Sequence, residues 1–168
     1  MADTLISVDE FMAKRARGAD MVVKAARAPT TWNSETRSAR FVMSCEEPDR
    51  DGDVVFIDGI DVEPFKKNPV CLLNHRPDQM IGTWANVGKG LLGNRKTLEG
   101  DATLIDDDAV PEARKTAALI SGGLLRASSI GFIPKTVKRI VMENGDPTYS
   151  FEIAECELIE CSIVAIPA

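Results

Sequence analysis

Histidine is all but absent from this chain: His75 is the single one in 168 residues. The four cysteines, Cys45, Cys71, Cys156 and Cys161, are scattered, and no two form a Cys-x-x-Cys pair. With one imidazole and no paired thiols, neither a zinc centre nor any other metal or cofactor site is expected. No apolar stretch approaches the roughly 20 residues of a membrane-spanning helix. The start, Met1-Ala2-Asp3-Thr4, lacks the basic-then-apolar pattern of a secretion signal, so a cytosolic origin is expected. Reduced and mostly buried thiols follow from that origin. A surplus of positive charge is also missing. The net charge of −6 argues against nucleic acid as the main partner.

What is present is the composition of one soluble domain, 44% hydrophobic and 27% charged. The charge is uneven, with residues 1–40 carrying seven Lys/Arg against five Asp/Glu while the rest is acidic. Residues 1–37 read as an N-terminal helical arm and linker. Ser7-Val8-Asp9-Glu10 is a capping box, a second helical piece is expected over residues 19–28, and Gly18 separates the two. The arm is either a partner-binding or removable segment or a helix packed on the domain. Residues 38–168 have the texture of a β protein. Strands are expected at 40–44, 54–57, 70–73, 81–84, 98–105, 124–133, 137–142, 148–154 and 155–166. Short helices are expected at 61–67 and 106–121, the latter opened by three aspartates and closed by Gly122-Gly123. Asn144-Gly145 signals a hairpin. Glycines 88, 90, 93 and 100 are read as punctuation. The fold class is therefore α+β, mainly β, a closed or nearly closed β-barrel with a few surrounding helices.

Three segments carry groups that can cooperate chemically. His75 follows the apolar run Val70–Leu73, where a strand end holds an imidazole rigidly yet within reach. The run Leu125 to Phe132 places Ser128, Ser129 and Gly131 amid apolar residues, and alternation groups Ser129 with Gly131. In the last strand Glu160 falls on a mostly apolar face, where a carboxylate requires a partner. A serine hydroxyl needs a base in contact, and a carboxylate on the far side of an imidazole fixes its tautomer. Asp49-Arg50-Asp51-Gly52-Asp53 has alternate aspartates, but Val54 stands where a calcium loop needs glycine and no glutamate closes it. It reads as a turn held by Asx bonds.

Taken in order, Asp49–Val55, Phe65–Val70, Asn74-His75, Ile81-Gly82, Ser129-Ile130-Gly131-Phe132 and Glu157 to Ala168 resemble the tailed-phage prohead (capsid maturation) protease family. The resemblance runs from about residue 38 to the end. It implies a serine endopeptidase with a fold like that of the herpesvirus assembly proteases. It further implies His75 as general base, Ser129 as nucleophile and Glu160, in a Glu-x-Ser pattern, as the acid orienting the histidine. Ser128 is the neighbouring alternative, disfavoured because alternation points it to the other face. The oxyanion hole is sought at backbone N–H groups near Gly131 or at Arg126. The implied substrates are capsid protein with its scaffolding segment and the chain itself, inside a procapsid in the host cytoplasm. A homo-oligomer is expected, with no role for membrane or nucleic acid. The competing reading is a catalytically silent scaffold protein with the same barrel.

Overall fold

A computed structural model of the chain describes residues 5–15, 22–27, 31–142 and 147–166. The arm contributes β1 (Leu5–Ile6), α1 (Val8–Arg15) and β2 (Val22–Arg27). The capping box forms in part: the Ser7 hydroxyl accepts the Glu10 N–H at 3.0 Å. There follow β3 (Trp32–Asn33), β4 (Ser38–Cys45), β5 (Val54–Val55), a 3-10 turn at Ile57–Gly59, β6 (Ile60–Asp61) and α2 (Glu63–Lys66). Next come β7 (Val70–Leu73), β8 (Arg76–Leu92), β9 (Arg95–Leu104), α3 (Pro111–Ser121), β10 (Ala127–Val141) and β11 (Pro147–Val164).

Among the described residues the strands form one eleven-stranded sheet of order β1-β10-β11-β7-β8-β9-β4-β3. Strand β2 pairs with β10, and β5 and β6 pair with β11 off this path. The hydrogen-bonded path is open, running from β1 to β3 without a closing ladder. The fold is mainly β with few helices, as expected. Closure of a barrel is not made by backbone bonds. Instead the sheet curls so that β4 approaches β10, and the buried Ser128 hydroxyl donates to the Val42 carbonyl at 2.8 Å. The inward residues form one main core, including Phe41, Met43, Ile57, Ile81, Trp84, Leu98, Ile130, Phe132, Phe151 and Leu158. Strand pairing there is tight: a Cβ at Gly82 would lie 2.0 Å from the Thr103 carbonyl oxygen.

Several elements differ from the sequence expectation for physical reasons. Residues 22–27 form a strand rather than part of a helix. Val22 and Val23 are poor helix formers, and the β10 edge supplies backbone partners for the whole segment. The two strands expected at 124–133 and 137–142 are one, β10, whose ladder to β11 shifts between Gly131 and Phe132 and around Pro134–Val137. These bulges let one strand absorb a proline. Likewise 148–154 and 155–166 are a single strand, β11. Residues 143–146, with the expected Asn144-Gly145 turn, lie outside the described residues, as does Gly18. Glycines 82, 88 and 90 lie within β8, and the reversal falls at Gly93-Asn94, where Leu92 pairs with Arg95. The arm's helix is packed on the domain: Phe11 is fully buried and meets the Phe151 ring edge-on at 5.1 Å.

The aspartate loop is held as an Asx turn. The Asp49 carboxylate accepts the N–H groups of Asp51 and Asp53, both at 2.9 Å. Asp53 in turn is buried and accepts the Phe151 N–H at 2.9 Å, pinning the loop to β11. These carboxylates are therefore occupied as backbone acceptors, the structural role read from the sequence.

Candidate active site

The imidazole sits not at a strand end but in a two-residue hairpin. Leu73 pairs with Arg76, leaving Asn74 and His75 as the loop between β7 and β8. Both have positive φ, 53° and 59°. Positive φ at both central positions is the type I′ signature, which suits Asn but is costly for His, since a side chain there crowds its own backbone. The loop is held in place by β11. The Asn74 N–H donates to the Ile163 carbonyl at 3.0 Å, and the His75 N–H donates to the Ser162 hydroxyl at 3.0 Å. The Asn74 amide oxygen accepts the Ala165 N–H at 3.4 Å.

Strand β11 runs parallel to β7, with Cys161, Ser162 and Ile163 beside Cys71, Leu72 and Leu73. This register brings Glu160 up to His75: Nδ1 lies 2.6 Å from Oε1. The other carboxylate oxygen is 2.7 Å from the Ser162 hydroxyl. Proton directions in this network follow from chemistry. The His75 backbone N–H can only donate, so the Ser162 oxygen accepts it and spends its own proton on Glu160 Oε2. An ionised carboxylate only accepts, so Nδ1 carries the proton toward Oε1. In neutral His75 that leaves Nε2 as the basic nitrogen. The Glu160 side chain is 11% exposed and that of His75 23%, so the carboxylate is largely desolvated behind a ring that still reaches the surface. Trp84 steadies this stretch of β11 from below, its indole N–H donating to the Cys161 carbonyl at 3.0 Å.

Ser129 enters from the opposite flank of β11. In the antiparallel β10–β11 ladder Ser129 stands directly across from Ser162, and Gly131 across from Glu160. Directly opposed residues project to the same face, so Ser129, Ser162 and Glu160 share one. Ser129 is 2% exposed. Ser128 projects to the other face, where its hydroxyl is held by Val42. Arg126 is exposed, and its Nε–H donates to the Gly123 carbonyl at 2.6 Å, tying it to the loop after α3. Cys71 and Cys161 are fully buried. Desolvation, reinforced by the Glu160 carboxylate, holds both thiols well above the ordinary range. Burial pushes Cys156 up to about 12. Protonated buried thiols are inert, so Cys71, Cys156 and Cys161 are set aside as nucleophiles partnered with His75.

Sequence reasoning did not single out Ser162 as the partner of both His75 and Glu160. It is fully buried, and its one oxygen joins the His75 backbone to the Glu160 carboxylate. Its only sequence signal was its place two residues after the glutamate, on the same strand face. The strain at His75 was also not legible, because a strand-end reading needs no positive φ.

No curated protein matches the chain. Among solved structures, the chain is similar to the bacteriophage T4 capsid assembly protease, gp21, with a TM-score of 0.60 and 14% sequence identity. The match covers 88% of this chain and 98% of that one, a likeness of fold. Residues 61–168 match the model of the caudovirus prohead serine protease family. That span contains the His75 hairpin, strand β10 with Ser129, and Glu160, and the chain belongs to the caudovirus prohead serine proteases.

Proposed function

We infer that the chain is a serine endopeptidase in which Ser129 is the nucleophile, His75 the general base and Glu160 the group that orients and stabilises the histidine. The observation that carries this reading is the Nδ1 to Glu160 contact at 2.6 Å, with Ser129 on the same sheet face. In this reading His75 Nε2 takes the Ser129 proton as Oγ attacks the scissile carbonyl. The same nitrogen then delivers that proton to the leaving amine, and water hydrolyses the acyl-enzyme by the reverse sequence. Glu160 stays ionised throughout, compensating the imidazolium in a site shielded from water. The substrates are the scaffolding segment of the capsid protein and the chain itself, within the procapsid, consistent with the family and with the T4 capsid assembly protease fold.

The test is intact mass of the full chain incubated with its capsid protein, wild type beside Ser129→Ala and His75→Ala. Fragments in the wild type that vanish in both variants are expected. Equal fragmentation in all three overturns both assignments. Absence of cleavage in a folded wild type inside assembled proheads favours the silent-scaffold reading.

A further inference from the structure

The nucleophile strand has two sides, and one is already taken. Toward β11 it faces Ser162 and Glu160; its other edge, over Ala127 to Phe132, is paired throughout with the chain's own residues 27 to 22. The register sets Ala25 directly opposite Ser129. A serine that attacks a peptide carbonyl must come within about 3–3.5 Å of it, yet Ser129 is 2% exposed. Whatever substrate reaches Ser129 must first displace something.

We propose that the β10 edge from Ala127 to Phe132 is the docking edge for the backbone of an extended substrate peptide, and that β2 is its resident occupant. An extended peptide recognised by strand addition bonds to the N–H and C=O groups of a sheet edge. On this edge those groups are the ones that β2 engages. Substrate and β2 are therefore mutually exclusive. Three further observations support exchange. Among the described residues β2 forms a ladder with β10 alone and otherwise only packs against β4, so one ladder must break for it to leave. It lies outside the span 61–168 that matches the family. Its neighbour α1 has an independent anchor in buried Phe11, and β1 pairs farther along β10 at Val137 and Lys138, so the arm stays tethered while β2 departs. A tethered strand competes at a high effective concentration, which holds the enzyme off until a concentrated substrate, such as one packed in a procapsid, takes its place.

This inference rests on Ser129 being the nucleophile. The test uses the full chain and a small fluorophosphonate that labels activated serines. Wild type is compared with Lys24→Pro/Ala25→Pro and with Ser129→Ala. Neighbouring strand residues turn their N–H groups to opposite sides, so one of the two prolines removes a bond to β10. The double variant is expected to label at least tenfold faster than wild type, a synthetic peptide of residues 20–30 to slow it again, and Ser129→Ala to stay unlabelled. Should the prolines unfold the chain, Val22→Gly/Val23→Gly gives the same comparison. Equal labelling of wild type and a folded variant overturns the exchange while leaving Ser129 as nucleophile. No labelling of any folded form overturns the nucleophile and the exchange together.

Discussion

His75 occupies a backbone conformation that glycine would fill at no cost, with φ of 59°. Holding a side chain there costs on the order of 1–2 kcal/mol, offset by the hydrogen bonds that bind the loop to β11. His75→Gly should therefore be more stable than His75→Ala by about 1 kcal/mol, since only alanine carries the Cβ. Both should lack activity. Urea unfolding of the two variants checks this, and equal midpoints would show that the turn is unstrained. Ser162 acts through others: it joins the His75 backbone to Glu160. Ser162→Ala should lower kcat about 10–100-fold by loosening the angle of the imidazole, with KM nearly unchanged. Ser162→Thr, which keeps the hydroxyl, should recover part of the loss if the strand admits its methyl. At this scale the sequence was informative about types and uninformative about conformation. A lone histidine and a glutamate on an apolar face can be read from spacing. A shared hydroxyl between them depends on a parallel register of β7 with β11 that no local pattern encodes.

At the scale of elements, long-range pairing overrode local signals. Strand β8 passes through three glycines because its partners β7 and β9 close on both sides, and Gly82 leaves room for the Thr103 carbonyl. Residues 22–27 are extended because the β10 edge takes up their backbone groups. Helix α1 holds because Phe11 is inserted into the core against Phe151 and Glu10 is ion-paired with Arg139 of β10. Phe11→Ala should cost about 3–5 kcal/mol, the usual range for a fully buried phenylalanine. Chemical denaturation measures it, and a loss below about 1 kcal/mol would mean that the arm contributes little to the folded domain. The capping box and α2 were legible, because those signals act within one turn of chain; the helix expected from Asp106 instead begins at Pro111, with the three aspartates in the turn before it, where Asp107 accepts the Ala109 N–H.

At the scale of the whole molecule, thiols from two strands distant in sequence are buried in a mainly β core: Cys71 on β7, and Cys156 and Cys161 on β11. Each has a folded pKa raised by desolvation, Cys156 to about 12. A raised folded pKa means that the native state keeps its proton where the unfolded chain has lost it. Stability is then unaffected below the unfolded thiol range and falls as pH rises from about 9 toward 12. The unfolding midpoint should drop between pH 8 and pH 10, by at most about 1.4 kcal/mol per thiol. Cys156→Ala should show a shallower drop than wild type, even though it starts from lower stability. An identical slope in both would show that lysines or tyrosine, rather than this thiol, govern the alkaline limb.

The sequence by itself determined the class of the fold and the residue types of the site. Apolar alternation, turn residues and a lone histidine are properties of short windows, where the physics is that of one strand or one turn. Only the tertiary structure decided that His75 sits in a positive-φ hairpin and that Ser162 bridges it to Glu160. It alone placed Ser129 on their face and residues 22–27 along strand β10. Each of these depends on the register between strands distant in the chain. A shift of one residue turns every side chain to the other face, and that register is set by the packing of the whole core.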